Sequence, residues 1–161
     1  MNQEIFNELL ESIKQGGKIL KDKKMNVQEE NIQIVQKLYA AFGKRDINAI
    51  IEVLSTEVVW GEPSNPFNPA GGTRYGHEGF LEWLNIGRQA EDILVLEPRK
   101  MLTDNDSVAV IGYMKCLAIP TGKTYESDFV HFVTIKDKKI VKFQEFFDTY
   151  LAGEAFRRPI S

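Results

Sequence analysis

KKIVKFQEFFDTY, residues 138–150, is the last long β segment of this chain. Read with a period of two, it places Val141, Phe143, Glu145 and Phe147 on one face and Ile140, Lys142, Gln144, Phe146 and Asp148 on the other. The first face is apolar except for one carboxylate. An apolar face buries itself against a partner, so Glu145 is expected to be carried inward with its neighbours. A carboxylate in that setting is costly unless it is paired, hydrogen-bonded or protonated. Glu145 is therefore the first candidate for chemistry, while Asp148, outward by parity, is placed to cap a short helix from Thr149.

Upstream of this stretch the pattern predicts strands at about 93–103, 107–119 and 123–136. Asn105-Asp106, Pro120-Thr121-Gly122 and Asp137-Lys138 mark the turns between them. Links this short imply antiparallel pairing. Before residue 92 the period is helical. Ile32, Val35, Leu38, Tyr39 and Phe42 trace one face of a helix, and Asn26 with Glu29 reads as its capping box. Asp46 caps a second helix with Ile47, Ile50, Ile51 and Leu54 apolar. A strand follows at 57–62, ending before Pro63. A third helix at about 77–91 carries Phe80, Trp83 and Leu84. The Pro-, Gly- and Asn-rich segment 63–76 is long for a compact domain and suits a lid. Helices segregated from a strand meander make an α+β domain, one curved antiparallel sheet with its helices on a single face.

Residues 1–25 read as a separate N-terminal amphipathic arm, broken at Gly16-Gly17 and followed by a lysine-rich run, with the compact domain at 26–161. The chain of 161 residues suits one domain with a real core. A net charge of −3 with interspersed signs argues against nucleic acid or an acidic membrane surface as partner. The lone Cys116, among apolar neighbours, excludes an intrachain disulfide and reads as a buried structural thiol. Neither a membrane-spanning run nor a signal peptide is legible, so a cytoplasmic location is the default expectation. With no phosphate loop, no Ser-His-Asp set and no metal-ligand spacing, no cofactor is expected.

Three segments carry a family resemblance: LYAAFGKRDINAIIEVLSTEVVW from Leu38, YGHEGFLEWL from Tyr75 and FVHFVTIKDKKIVKFQEFFDT from Phe129. The pattern over 32–150 resembles the nuclear-transport-factor-2-like superfamily, and within it the SnoaL-like polyketide-cyclase and ketosteroid-isomerase-related branch. The resemblance implies a cystatin-like, cone-shaped fold: a strongly curved antiparallel sheet with three helices packed on its concave face. It also implies an apolar cavity. Both faces of the 123–136 strand are apolar-rich, so a homodimer through the sheet's convex face is expected. In ketosteroid isomerase the general base is an aspartate at the end of the first strand, before a proline; Glu62-Pro63 occupies that position, at the family's spacing from Asp46. That enzyme's oxyanion donors, a tyrosine and a protonated aspartate, align without gaps to Leu38 and Val130, which cannot donate. Tyr39 lies one residue off, about 100° round the helix. Phe143-Gln144-Glu145-Phe146-Phe147 resembles the acid-bearing run of limonene epoxide hydrolase, but 107–119 lacks that family's Arg-x-Asp; Lys115 is its only charged side chain.

The candidate acids are therefore Glu62, Glu145 and Asp128, the last because it shares a strand face with Val130 and Phe132. Phe42, Trp60, Trp83, Val130, Phe143 and Phe147 are the candidate ligand-binding wall. His131, on the opposite face with Phe129 and Val133, is expected to be structural and to pack in a dimer. The expected function is binding of a small hydrophobic molecule, with isomerase, cyclase or hydrolase chemistry at an inward carboxylate. A non-catalytic binding protein or an assembly module is the alternative.

Overall fold

The computed structural model describes residues 3–158. Helix α1 (Gln3–Lys44) leads into α2 (Ile47–Val53), β1 (Leu54–Glu62), β2 (Gly72–Tyr75) and α3 (Gly76–Ala90). The meander β3 (Glu91–Asp104), β4 (Ser107–Ala118), β5 (Lys123–Lys136) and β6 (Lys139–Phe147) follows, and α4 (Thr149–Phe156) closes the chain. The six strands form one curled, unclosed sheet in the order β2-β1-β6-β5-β4-β3. The hairpins pair antiparallel as expected, but β1 runs parallel to β6, so the sheet is mixed. The short edge strand β2 lies inside what the sequence suggested was all loop.

The helices lie on the inner face. Val35 and Leu38 of α1, Ile50 of α2 and Phe80 of α3 are buried in one core with Val58, Trp60, Val110, Phe129, Val133 and Phe143 of the strands. Asp46 caps α2 by accepting from the Ala49 amide, and Asp148 caps α4 by accepting from Tyr150 and Leu151, both as the sequence indicates.

The N-terminal region departs from expectation. α1 runs unbroken through Gly16-Gly17, and Asn26 lies inside it, so neither the break nor the capping box forms. A glycine costs about 1 kcal/mol in a helix interior, which the good helix formers around the pair offset. The helix is about 60 Å long at 1.5 Å per residue, and Leu10 and Ile13 on its early turns are exposed. Among the described residues no helix is long and apolar enough to cross a membrane.

β5 corrects a second expectation. Its buried residues are Tyr125, Ser127, Phe129, His131, Val133 and Ile135, and its outer ones are Glu126, Asp128, Val130 and Phe132. The strand turns inward the face with more apolar bulk, so His131 points inside. The Asp128 side chain is 81% exposed and lies 3.6 Å from Arg99; with Val130 it belongs to the convex surface, and neither lines the interior. The pairing explains the inversion. Ile135 pairs with Ile140 but Thr134 pairs with Lys142, which leaves Val141 as an extra residue, a bulge in β6. On β6 Ile140 therefore takes the buried position expected of Val141, whereas Phe143 and Glu145 face inward as read.

Candidate active site

Register brings the site together. His131 of β5 is the direct partner of Glu145 on β6, and Trp60 of β1 is the partner of Phe143. Two residues beyond Trp60 and Phe143 along this parallel pair, Glu62 and Glu145 face each other. α1, laid across the inner face, adds Tyr39. The result is a continuous hydrogen-bonded chain. The Tyr39 hydroxyl is 2.5 Å from His131 Nδ1, and His131 Nε2 is 2.7 Å from Glu145 Oε1. Glu145 and Glu62 hydrogen-bond to each other, and Trp60 Nε1 donates to Glu62 Oε1 at 2.9 Å.

Two carboxyls this close cannot both ionise in a low-dielectric interior. Burial pushes the Glu62 carboxyl well above its ordinary value, and the charge of Glu145 and the hydrogen bond to it push it further. Burial acts on Glu145 too, but the hydrogen bonds from Glu62 and His131, with the positive charge of a protonated His131, outweigh it and hold Glu145 below the ordinary range. The pair thus holds one proton, on Glu62, which donates to the Glu145 carboxylate. A carboxylate can only accept, so His131 Nε2 carries a proton and donates to Glu145, while the Tyr39 hydroxyl lies against the other ring nitrogen. Burial raises the Tyr39 hydroxyl far above its usual value, with the Glu145 charge adding to it, so it keeps its proton.

Phe42, Trp60, Trp83 and Phe143 pack against one another on the inner face. Trp60 and Phe143 stack with ring centroids 3.9 Å apart, and Phe42 stands 6.1 Å from Trp60 and 6.3 Å from Trp83. Phe42, Trp83 and Phe147 are half-buried against this core. The Glu145 side chain keeps 15% exposure against 7% for His131, so the pair is not sealed in solid packing. The 63–71 loop is tied to the start of α4, where Asn65 Nδ2 donates to Thr149 O at 2.6 Å. A Cβ on Gly153 of α4 would sit 2.9 Å from that amide, so any larger residue there makes the Asn65 side chain shift. Arg74 donates to the carbonyls of Ala70 and Gly71 and ties the loop to itself. Among the described residues no group of His, Cys, Asp or Glu is placed to hold a metal ion.

The sequence names Glu62 and Glu145 as candidate acids, and Tyr39 and His131, which complete the chain, are not among its candidates. Both lie one residue beyond the gap-free positions Leu38 and Val130. A one-residue shift at each gives two polar residues that bond to each other.

The sequence model of the SnoaL-like domain matches residues 35–143. The chain belongs to this family. None of the curated proteins matches it in sequence. Among solved structures it is similar to an NTF2-like protein from Burkholderia xenovorans, at 27% identity and a TM-score of 0.75 over 81% of this chain and 98% of that one. It is similar to TerC, solved with polyporic acid, at 31% identity and 0.73 over 79% and 98%. A Xanthomonas campestris protein of unknown function with a cystatin-like fold aligns at 22% identity and 0.67 over 80% and 98%, a likeness of fold. The family and the cone fold agree with the resemblance carried by the three segments.

Proposed function

We propose that this SnoaL-like domain binds a small, largely apolar molecule inside the cone and moves a proton on it without a cofactor, in the manner of an isomerase or cyclase. The observation that carries this reading is the Glu62–Glu145 pair, one acid and one base in contact on an inward face. Glu145 accepts a proton from a carbon next to a carbonyl, leaving an enolate, and Glu62 returns its own proton elsewhere on the conjugated system. A proton passing from Glu145 to Glu62 along their hydrogen bond then restores the starting state, so atoms and charge balance. His131, held by Tyr39, steadies the Glu145 carboxylate. The resembling isomerase keeps its general base at this strand-end position before a proline; in this reading the position holds the acid of the pair, and Glu145 is the base.

TerC makes polyporic acid the first ligand to try, with quenching of Trp60 and Trp83 fluorescence as the signal. A screen of enols, unsaturated ketones and epoxides would follow. Glu145→Gln keeps the shape and removes the base, so it should bind ligand as wild type does and lose turnover by at least about a hundredfold. Turnover unchanged in that variant would end the enzymatic reading. A second reading, a binding protein without turnover, draws on the same cluster: each of its members already has an internal partner, so it is stable without substrate.

The expected homodimer is also proposed. Ile111, Phe132 and Phe146 are exposed on the convex face, where Ile111 pairs with Val130 and Val130 with Phe146 in one row across three strands. An apolar patch of this kind calls for a partner surface. A monomeric mass by light scattering at micromolar concentration would count against it.

A further inference from the structure

The interior site leaves the first part of α1 without a role. Among the described residues, this helix first bonds to the domain at Glu30, 3.5 Å from Lys138, and at Asn31, whose Nδ2 donates to Asn105 O at 3.0 Å. None of the described residues before Asn31 is buried. At 1.5 Å per residue, residues 3–30 make a rod of roughly 40 Å standing clear of the core. A helix in water takes most of its stability from burying an apolar face, and this one has such a face. Phe6, Ile13, Leu20, Val27 and Ile34 recur every seven residues, which keeps them close to one line along the helix, with a drift of about 20° per step. Ile34 at the domain end of that line is buried at 8% exposure, whereas Val27 is 43% exposed and Ile13 63%. Leu10, one turn from Ile13, is exposed as well. One stripe is therefore covered at one end and bare further out.

The charges along this arm select what covers it. Residues 1–12 carry Glu4, Glu8 and Glu11 and no base, while residues 13–25 carry Lys14, Lys18, Lys21, Lys23 and Lys24 against the single acid Asp22. The sign changes between Glu11 and Lys14, which pair at 2.9 Å on the surface. The arm thus has an acidic half and a basic half and is close to neutral as a whole, which suits neither an acidic membrane nor a nucleic acid. A second copy laid antiparallel sets each acidic half along the other's basic half. A parallel copy sets like charge beside like charge from end to end. The antiparallel register that places Leu9 opposite Leu20 also places Ile13 opposite Gly16 and Gln3 opposite Asn26. At Gly16 the space that a Cβ would occupy is open, so a second helix can come close there.

We propose that the arm, residues 3–30, is an interaction surface for a second copy of this chain, and that two arms pair antiparallel as a short two-stranded coiled coil. Ile13 and the residues in line with it form the seam, and acidic half lies on basic half. This contact joins two domains through their arms. It depends neither on the interior site nor on the convex-face patch, so it can fail or hold without them.

The test uses the full chain with one added cysteine, Gln3→Cys in one preparation and Asn26→Cys in another; the native Cys116 is buried and stays out of reach. Each preparation alone and an equal mixture of the two are treated with a bismaleimide linker of about 10 Å, far short of the roughly 35 Å between residues 3 and 26 along one helix. A covalent dimer should form in the mixture and only at trace level in either preparation alone. Dimer in the separate preparations at the mixture's level would mean parallel pairing and overturn the inference. No dimer in any of the three would mean that the arms do not meet, which overturns it as well. Ile13→Glu, added to both cysteine chains, puts a charge into the seam from each side and should lower the yield roughly tenfold or more. An undiminished yield would show that Ile13 is not in the seam and overturn the inference. The same substitution should leave the melting midpoint within about 1 °C, because the arm is not part of the core; a fall of several degrees would mean that the arm packs on its own domain and would count against pairing.

Discussion

Glu145 and Glu126 lie on opposite faces of the same strand pair, and both are held below the ordinary carboxylate range for different reasons. Glu126 is on the outer face, where Lys115 and the Tyr113 hydroxyl each donate to it at 2.7 Å. Its neighbours are exposed, water is an alternative partner for every group, and salt screens the pair. Glu145 faces inward, where one of its partners is another acid that must stay protonated for the arrangement to exist. The outer cluster is a surface ion pair of little energetic consequence. The inner one fixes a proton between two oxygens and an imidazole. Chemistry that needs a proton moved can use only the second.

The largest perturbation is to the inner stack. Trp60→Ala removes the buried ring that stacks on Phe143 and donates to Glu62, and should lower the thermal midpoint by on the order of 10 °C; a melt like wild type's would mean that the stack does not hold the core. His131→Ala comes next. It leaves the Glu145 carboxylate without its cross-strand donor and should cost about 3 kcal/mol in urea unfolding. A loss below about 1 kcal/mol would show the chain to be loosely held.

Glu62→Gln should act through pH. A carboxyl whose folded value is raised contributes stability that is full below the unfolded value near 4.5 and is lost as pH rises through the folded value. Glu145, lowered on folding, contributes above 4.5 and loses that contribution as pH falls through its folded value. Wild-type stability should therefore decline from mildly acidic towards higher pH, and Glu62→Gln should flatten that decline while leaving the acid limb in place. Parallel wild-type and variant curves would contradict the assignment. The smallest effect belongs to the outer face: Asp128→Asn, one of the acids suspected from sequence, should change stability by less than about 0.5 kcal/mol and ligand binding not at all.

These contrasts show how far the sequence could be read. The order of elements, the caps at Asp46 and Asp148 and the inward turn of Glu62 and Glu145 follow from periodicity and local hydrogen-bonding chemistry. The assignment of the two β5 faces did not. After a turn at Asp137-Lys138, an unbulged ladder places His131 opposite Gln144 and turns Asp128 inward; one extra residue at Val141 places His131 opposite Glu145. Nothing in the composition of KKIVK announces that bulge, because Ile140 and Val141 are equally able to face a core. The apolar bulk of Tyr125, Phe129, Val133 and Ile135 was the available signal that this was the inner face. Tyr39 was obscured in a related way. Its position relative to the Leu38 stripe is set by how α1 lies on the sheet, and helical periodicity alone does not fix that. The continuous α1 reflects tolerance of glycine in a strongly helical context, which a local breaker rule overstates.

The most direct measurement is a carbon-detected NMR titration of the side-chain carboxyls of wild type, with Glu62→Gln and Glu145→Gln to assign the signals. If one proton is shared between the pair, Glu62 stays protonated well above 4.5 and Glu145 is ionised below it, with each variant altering the other's curve. Two independent titrations near 4.5, unmoved by either substitution, would show that the carboxyls do not form a pair and would remove the basis for proton-transfer chemistry in this cone.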